Sequence, residues 1–312
     1  MGPNDNPSIH NIDLSDLLLF GIPKKGRLNE QVMTLLAGAD IKFHRKNRID
    51  IALSTNHPIA LVFLPAADIP QFVADGNVDI GITGQDMVAE AGVNVEELMS
   101  LGFGKCRLCV QTPVDSPYRS AKDLVGKRIA TSFTSLVREY FKALDVQVAK
   151  EAGLTTIEKS TIVQFLSGSV EASCALGLAD GIVDLVESGE TMHAAKLHAI
   201  ETVLTTEAVL ICNPTKHINN PLIEKIRRRI EGVITAQRFV LCTYNVPRTK
   251  LANAIKITPG KKSPSISSLD TDGWVAVSVM VLKSKSADVM DELAEIGAQD
   301  ILITEIKNAR MN

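Results

Sequence analysis

Between Leu178 and Met192 the chain reads Leu-Ala-Asp-Gly-Ile-Val-Asp-Leu-Val-Glu-Ser-Gly-Glu-Thr-Met, and its pattern changes halfway. Ile182 to Val186 is apolar and β-branched around one acid, Asp184, which suits a strand buried in a parallel sheet. Glu187-Ser188-Gly189-Glu190-Thr191 then stops the strand and opens a helix through Met192, Ala194 and Ala195. Glycine in a strand-to-helix turn lets a ligand approach the backbone, and the first amides of a helix favour an anion. Ser188 and Thr191 add hydroxyl donors. Asp184 and Glu187 would repel a bare phosphate, but they suit a ligand that also carries sugar hydroxyls or a magnesium ion, as a phosphorylated ribose does. Taken alone, the stretch reads equally well as an ordinary βα turn with Glu placed to suit the helix dipole.

The same alternation recurs along the chain. Leu17 to Ile22 reads as a first strand, and Lys24, Lys25 and Arg27 around Gly26 then form either an anion site or a solvated basic loop before the next helix. Ile59 to Leu64 and Val78 to Thr83 are further buried strands. Gly84-Gln85-Asp86 ends the latter, with Asp86 placed to cap the helix Met87 to Ala91. Strands alternating with helices at this spacing predict a doubly wound α/β sheet with ligands at the carboxyl ends of its strands.

Leu101 to Val110 is expected to cross into a second lobe, where Thr131, Ser132, Thr134 and Ser135 would cap a helix or hold a phosphate. A third glycine turn, Ser167-Gly-Ser-Val-Glu171, carries a carboxylate. After Lys196 the chain is expected to return to the first lobe through the strand Glu207 to Cys212. Two such lobes around a cleft resemble the type II periplasmic-binding-protein architecture.

From Ala236 the order becomes strand, helix, strand, strand, helix, strand, with a hairpin turn at Asp270-Thr-Asp-Gly273. This βαββαβ order predicts a ferredoxin-like module. Before it, Leu222 to Val233 is an amphipathic helix whose Arg227, Arg228 and Arg229 read as a solvated or subunit-facing surface.

Composition narrows the function. The 312 residues are 45% apolar and carry a net charge of −3, which supports several domains and argues against a nucleic-acid footprint. No membrane-length apolar run or signal pattern appears, so a cytoplasmic protein is expected. Five scattered cysteines fit a reducing compartment, and Cys106-Arg-Leu-Cys109 lies inside a strand without a second pair, as structural thiols would. The six histidines show no metal-binding spacing.

Six segments in order resemble the ATP phosphoribosyltransferase family, the first enzyme of histidine biosynthesis: Pro23 to Leu28, Asp75 to Gly84, Leu101 to Leu108, Gly126 to Ser132, Ser167 to Glu171 and Asp184 to Thr191. The resemblance runs from about Leu17 to Met311 and is strongest to fungal, long-form members. It implies transfer of phosphoribosyl from phosphoribosyl pyrophosphate (PRPP) to N1 of the adenine of ATP, with Mg2+ required. By that resemblance Ser188, Gly189, Glu190 and Thr191 hold the 5-phosphate, with Asp184 and Glu187 near the ribose hydroxyls and Glu171 facing the same site. Arg27, Glu171 and Asp184 would act in catalysis. Lys25, Arg27 and Arg107 would meet pyrophosphate or the ATP phosphates, with Asp86 on the adenine side. Mg2+ would come with the substrate phosphates and touch Asp184 or Glu187. Ala67 and Phe133 depart from the family pattern, which commonly has a basic residue and Tyr there.

The resemblance further implies an ACT-like C-terminal domain that binds histidine as feedback inhibitor and a homo-oligomer, from dimer to hexamer. Asn245, which replaces a common acid, and Ser265 would lie on its effector loops. The expected organisation is a mobile tail over 1–16, lobe I over 17–107 and 193–220, lobe II over 108–192, and a linker helix with the regulatory domain over 221–312. A prephenate-dehydratase-type enzyme would share such an architecture but needs a Thr-Arg-Phe motif that is absent; a solute-binding module would need export. A purely regulatory scaffold would leave the charged glycine turns unexplained.

Overall fold

The computed structural model describes residues 14–45, 50–157, 159–217 and 220–310. All but the last three residues of the expected N-terminal tail lie outside them. The chain divides into two compact units, one holding the residues up to Val32 and Phe43–Asn220, the other Met33–Lys42 and the chain from Pro221.

The first unit opens with β1 (Leu18–Pro23), α1 (Gly26–Gly38, which ends in the other unit), β2 (Ile51–Leu53), β3 (Ile59–Leu64), α2 (Ile69–Ala74), β4 (Ile80–Gly84), α3 (Gln85–Ala91) and β5 (Glu96–Ser100). Then come β6 (Cys106–Pro113), β7 (Arg128–Thr131), α4 (Thr134–Glu151), β8 (Ile162–Phe165), α5 (Ala172–Ala175), β9 (Gly181–Val186), α6 (Glu190–Ala194), β10 (Leu197–Thr206), β11 (Ala208–Cys212) and α7 (Pro214–His217). They form two sheets, ordered β2-β3-β1-β4-β11-β5 and β10-β6-β9-β7-β8.

The two sheets share one plan. In the first, β1 lies parallel between β3 and β4, and β11 runs antiparallel beyond β4. In the second, β7 lies parallel between β8 and β9, and β6 runs antiparallel beyond β9. This is the two-lobed, type II periplasmic-binding-protein-like arrangement. The central position of β9 is why Ile182 and Val183 are fully buried.

The return to the first sheet falls later than Lys196. Leu197–Thr206 forms β10, paired antiparallel with β6, and the chain reaches the first sheet only at β11. The physical reason is a strand broken by two register shifts, between Ala199 and Glu201 and between Thr202 and Leu204, which scramble the alternation that marks a strand in sequence. The two passages between sheets are tied together: Leu101 N donates to Ala208 O at 2.8 Å, and Ala208 N to Phe103 O at 3.0 Å.

The second unit contains α8 (Pro221–Arg238), β12 (Phe239–Pro247), α9 (Leu251–Ile257), β13 (Ser265–Ser268), β14 (Trp274–Leu282), α10 (Ser286–Glu295) and β15 (Gln299–Glu305). Its antiparallel sheet, ordered β13-β14-β12-β15, is the ferredoxin-like pattern. Two arginines of the basic run pair within α8, Arg227 with Glu224 at 2.6 Å and Glu231 at 3.2 Å and Arg228 with Glu224 at 3.0 Å, while Arg229 turns to Asp40 Oδ2 at 3.7 Å. Arg227 and Arg228 hold the Glu224 carboxyl down at about 2.

The core of this unit contains one buried polar pair. Tyr244, 1% exposed, shares a hydrogen bond of 2.7 Å with the Thr258 hydroxyl. A buried hydroxyl left unpaired costs about 1–3 kcal/mol. Thr258→Val is therefore expected to destabilise this unit by that order, seen as a lower urea midpoint when unfolding is followed by fluorescence of Trp274, the one tryptophan in the chain.

Candidate active site

The turn after β9 owes its shape to Gly189, which is buried and has φ +86. A Cβ at this position would meet nothing closer than His193 Nε2 at 3.5 Å. The glycine is required by its left-handed backbone, not by lack of room. Around the turn lies a cavity of about 260 Å³, lined by Glu187, Ser188, Gly189, Glu190, Thr191 and Met192, with Arg27 and Cys106 facing them.

A second cavity of about 200 Å³ shares Arg27, Cys106, Leu185 and Glu187 with the first. Its remaining wall includes Leu28, Met87, Ala66 and Ala208, with Gly84, Gly104 and Asp86. It is a largely apolar slot whose polar groups include two carboxylates, Asp86 and Glu187, with Arg27 and Gln31, and it is suited to a flat heterocycle. Arg27 spans the two spaces and meets Glu187 at 2.7 Å, with side chains 80% and 52% exposed. Such an exposed pair is worth no more than about 1 kcal/mol, so an entering anion can take the guanidinium from Glu187.

Asp86 is the most constrained polar group here. It is 4% exposed, its amide donates to Thr206 Oγ1 at 3.0 Å, and Thr206 Oγ1 donates to Asp86 Oδ1 at 2.9 Å. Burial pushes its carboxyl above the ordinary value, and the Thr206 and backbone hydrogen bonds offset part of that rise. Asp86 does not take the capping position expected of it. Gly84 is the cap residue, and a Cβ on Gly84 would overlap Asp86 Oδ1.

Asp184 lies on β9 but lines neither cavity. Its carboxyl accepts from the Leu185 amide at 2.8 Å, and burial, with the nearby charge of Glu171, pushes it up. Arg107 also lines neither cavity: strand alternation turns it away from the face on which its neighbour Cys106 sits. Lys25 is likewise outside both linings, and Lys24 is engaged with Asp50 at 2.8 Å. Burial, then the charges of Asp86, Glu187 and Cys109, push the Cys106 thiol up to about 11, consistent with an inert wall rather than a nucleophile.

The hydroxyls before α4 do not cap it. Thr131 Oγ1 donates to Val183 O at 2.8 Å, while Glu90 accepts from the Ser135 and Leu136 amides at 2.9 and 3.0 Å. Phe133, at the cap position, is 3% exposed in the core of the second sheet, and Ala67 is exposed beside Ala66. Glu90 and Thr206 carry no local sequence signal, because each acts on a partner distant in the chain. Among the described residues no group of three His, Cys, Asp or Glu is arranged to hold a metal. Among the described residues no helix is long and apolar enough to cross a membrane.

In the second unit, a cavity of about 500 Å³ is lined by Lys261, Lys262, Ser263, Ser265, Ser278 and Arg310 among others. Neither expected effector residue is in a loop: Ser265 opens β13, and Asn245 lies within β12, donating to Asp300 Oδ2 at 2.9 Å. Ser265 reaches the cavity, and Asn245 is not in its lining.

Burial of Asp86 has a consequence for stability. With its folded value raised, the group favours the folded state only while protonated; that contribution is lost as pH rises from 3.8, the ordinary value, through the raised one. Asp86→Asn is therefore expected to raise the urea midpoint at neutral pH, with the gain shrinking as pH falls towards 3.8.

Comparison with known proteins then adds an independent line. The family model described as HisG, ATP phosphoribosyltransferase, matches residues 65–232, and that for the HisG C-terminal domain matches 236–308. A protein of Yarrowia lipolytica named ATP phosphoribosyltransferase is 55% identical over 300 residues, covering 96% of this chain and 98% of the relative. One of Saccharomyces cerevisiae with the same name is 54% identical over 299 residues, with the same coverage. The solved ATP phosphoribosyl transferase (HisG:HisZ) complex from Thermotoga maritima matches with TM-score 0.55 at 26% identity, covering 69% of this chain and 99% of that one.

Proposed function

The chain belongs to the ATP phosphoribosyltransferase family, and on that premise we propose that it transfers the 5-phosphoribosyl group of PRPP to N1 of ATP with release of pyrophosphate, the first step of histidine biosynthesis. The observation that carries this reading is the pair of neighbouring cavities, one wrapped by the turn Glu187–Thr191 and one an apolar slot, with Arg27 between them. The first suits a sugar phosphate, the second a purine. The comparisons favour neither the dehydratase nor the solute-binding alternative.

N1 of adenine already carries a lone pair, so the chain need not supply a nucleophile. Its task is to hold two anionic substrates in line and to favour charge as it develops. Ser188 and Thr191 with the turn amides would hold the 5-phosphate, while Glu187 would face the ribose once Arg27 has turned to the departing pyrophosphate. Asp184 and Glu171 would add negative potential on the side where the anomeric carbon becomes electron-poor. Lys25 and Arg107 would reach the polyphosphates from outside the cavities.

Mg2+ would enter with the polyphosphates. Asp184 or Glu187 would meet the ion; Asp184, raised chiefly by burial, also feels the charge of Glu171, a repulsion that a cation would relieve. When bound, the ion would neutralise charge on the leaving pyrophosphate.

The cavity of the second unit, with three cations and several hydroxyls, suits the carboxylate and amino groups of histidine as feedback inhibitor, with Asn245 acting from outside its lining. We further propose an ACT-like regulatory role for this unit, a homo-oligomer from dimer to hexamer, and a cytoplasmic setting.

Mixing the full chain with ATP, PRPP and Mg2+ should release pyrophosphate, and histidine should suppress it; no release would sink the assignment. Gly189→Val forces a β-branched residue into left-handed backbone, and a distortion of about 1–2 kcal/mol is expected to raise the KM for PRPP roughly tenfold. Histidine binding, measured by calorimetry, should persist in that variant. Ser265→Trp should fill the cavity of the second unit, leaving the uninhibited rate intact while abolishing inhibition by histidine.

A further inference from the structure

Thr206 is the last residue of β10, just before the chain enters the first sheet, and it is 2% exposed. Its hydroxyl serves Asp86 twice, accepting from the amide at 3.0 Å and donating to Oδ1 at 2.9 Å. A hydroxyl has one hydrogen, so that donation commits it. Gly84 works on the same oxygen from another side, since a Cβ there would overlap Oδ1. Between them the two residues fix how the carboxyl is turned. The side chains of Leu28, Met87, Leu185 and Ala208 make that part of the slot apolar, and backbone amides of Asp86 and Met87 also donate to the carboxyl and help to fix it.

We propose that Thr206 is a positioning residue for the transferase reaction, holding Asp86 so that its second oxygen accepts a hydrogen bond from the exocyclic 6-amino group of ATP. The inference rests on the function given above and says which part of the purine the slot reads. A carboxylate only accepts, and the 6-amino group is the one N–H donor on the adenine of ATP. As the N1 lone pair forms its bond to the anomeric carbon, the bond from that carbon to pyrophosphate breaks and its electron pair leaves with pyrophosphate. The ring then takes up positive charge, shared with the 6-amino nitrogen. A hydrogen bond from that nitrogen to a carboxylate strengthens at that moment, so it stabilises the transition state more than bound ATP. The apolar walls enlarge the effect by keeping the local dielectric low.

The test compares ATP with purine riboside triphosphate, which keeps N1 but lacks the 6-amino group, and with 2′-deoxy-ATP, which removes a ribose donor instead. In the full-length chain the kcat/KM ratio of ATP to purine riboside triphosphate should be large. Thr206→Val should narrow it about tenfold, the scale of one hydrogen bond to a charged group, chiefly through kcat and without raising the KM for PRPP. Thr206→Ser should restore it. The ratio of ATP to 2′-deoxy-ATP should be the same in all three proteins. Gly84→Ala, at a backbone φ of −86 that alanine adopts readily, displaces the carboxyl by another route and should narrow the first ratio too, which covers the case of Thr206→Val failing to fold. An unchanged first ratio in these active variants, or a change confined to the 2′-deoxy-ATP arm, overturns this inference while leaving the transferase assignment standing. A wild-type chain that yields no pyrophosphate overturns both.

Discussion

One hydroxyl joins the two sheets of the first unit where it matters most. Thr206 ends β10 and Asp86 is the second residue of α3, and the pair sits 120 residues apart in sequence. Around them the Gln85 amide donates to Glu207 O at 3.0 Å, and the Leu101 to Phe103 passage is bonded to Ala208. Both passages between the sheets and the start of α3 are thus fastened at one place. The apolar slot opens there, so the backbone at that end of it, at Gly84, Asp86 and Ala208, is fixed by hydrogen bonds.

The polar contacts of the site differ in kind. Asp86 and Thr206 are nearly dry, so removing either partner leaves a buried group without compensation. Arg27 and Glu187 are largely exposed, and their ion pair is weak enough to be exchanged for a ligand. A fixed purine slot beside a readily released cation is what two-substrate transfer requires: one reactant held rigidly, the other gripped by groups that rearrange as it arrives.

The sequence made β9 and its turn legible because a β-branched run followed by glycine has one good structural solution, and Gly189 at φ +86 is that solution. The C-terminal βαββαβ order was readable for the same reason: along β12 buried and half-buried residues alternate without a break from Phe239 to Pro247. What escaped was non-local. Two register shifts hid β10, so that 197–206 belongs to the second sheet, while the strand expected to carry the return, Glu207 to Cys212, is β11. Asp86 after glycine looks like a helix cap, and nothing nearby announces that its partner is Thr206. Asn245 is expected in an effector loop by family resemblance, yet its backbone continues the ladder opposite Ala276. The hydroxyls before α4 look like its cap in sequence, but Glu90 of α3 accepts from its Ser135 and Leu136 amides instead.

The raised carboxyls of Asp86 and Asp184 share one origin, since desolvation leads the causes of both. Neither is placed for stability: an ionised acid in an apolar wall weakens the fold at neutral pH. Sites at which sequence and packing disagree in this way are where function is expected to reside. The same removal from water that burdens the folded state leaves the Asp86 carboxyl poorly solvated. Any N–H that reaches it then gains more than it would from an exposed carboxylate.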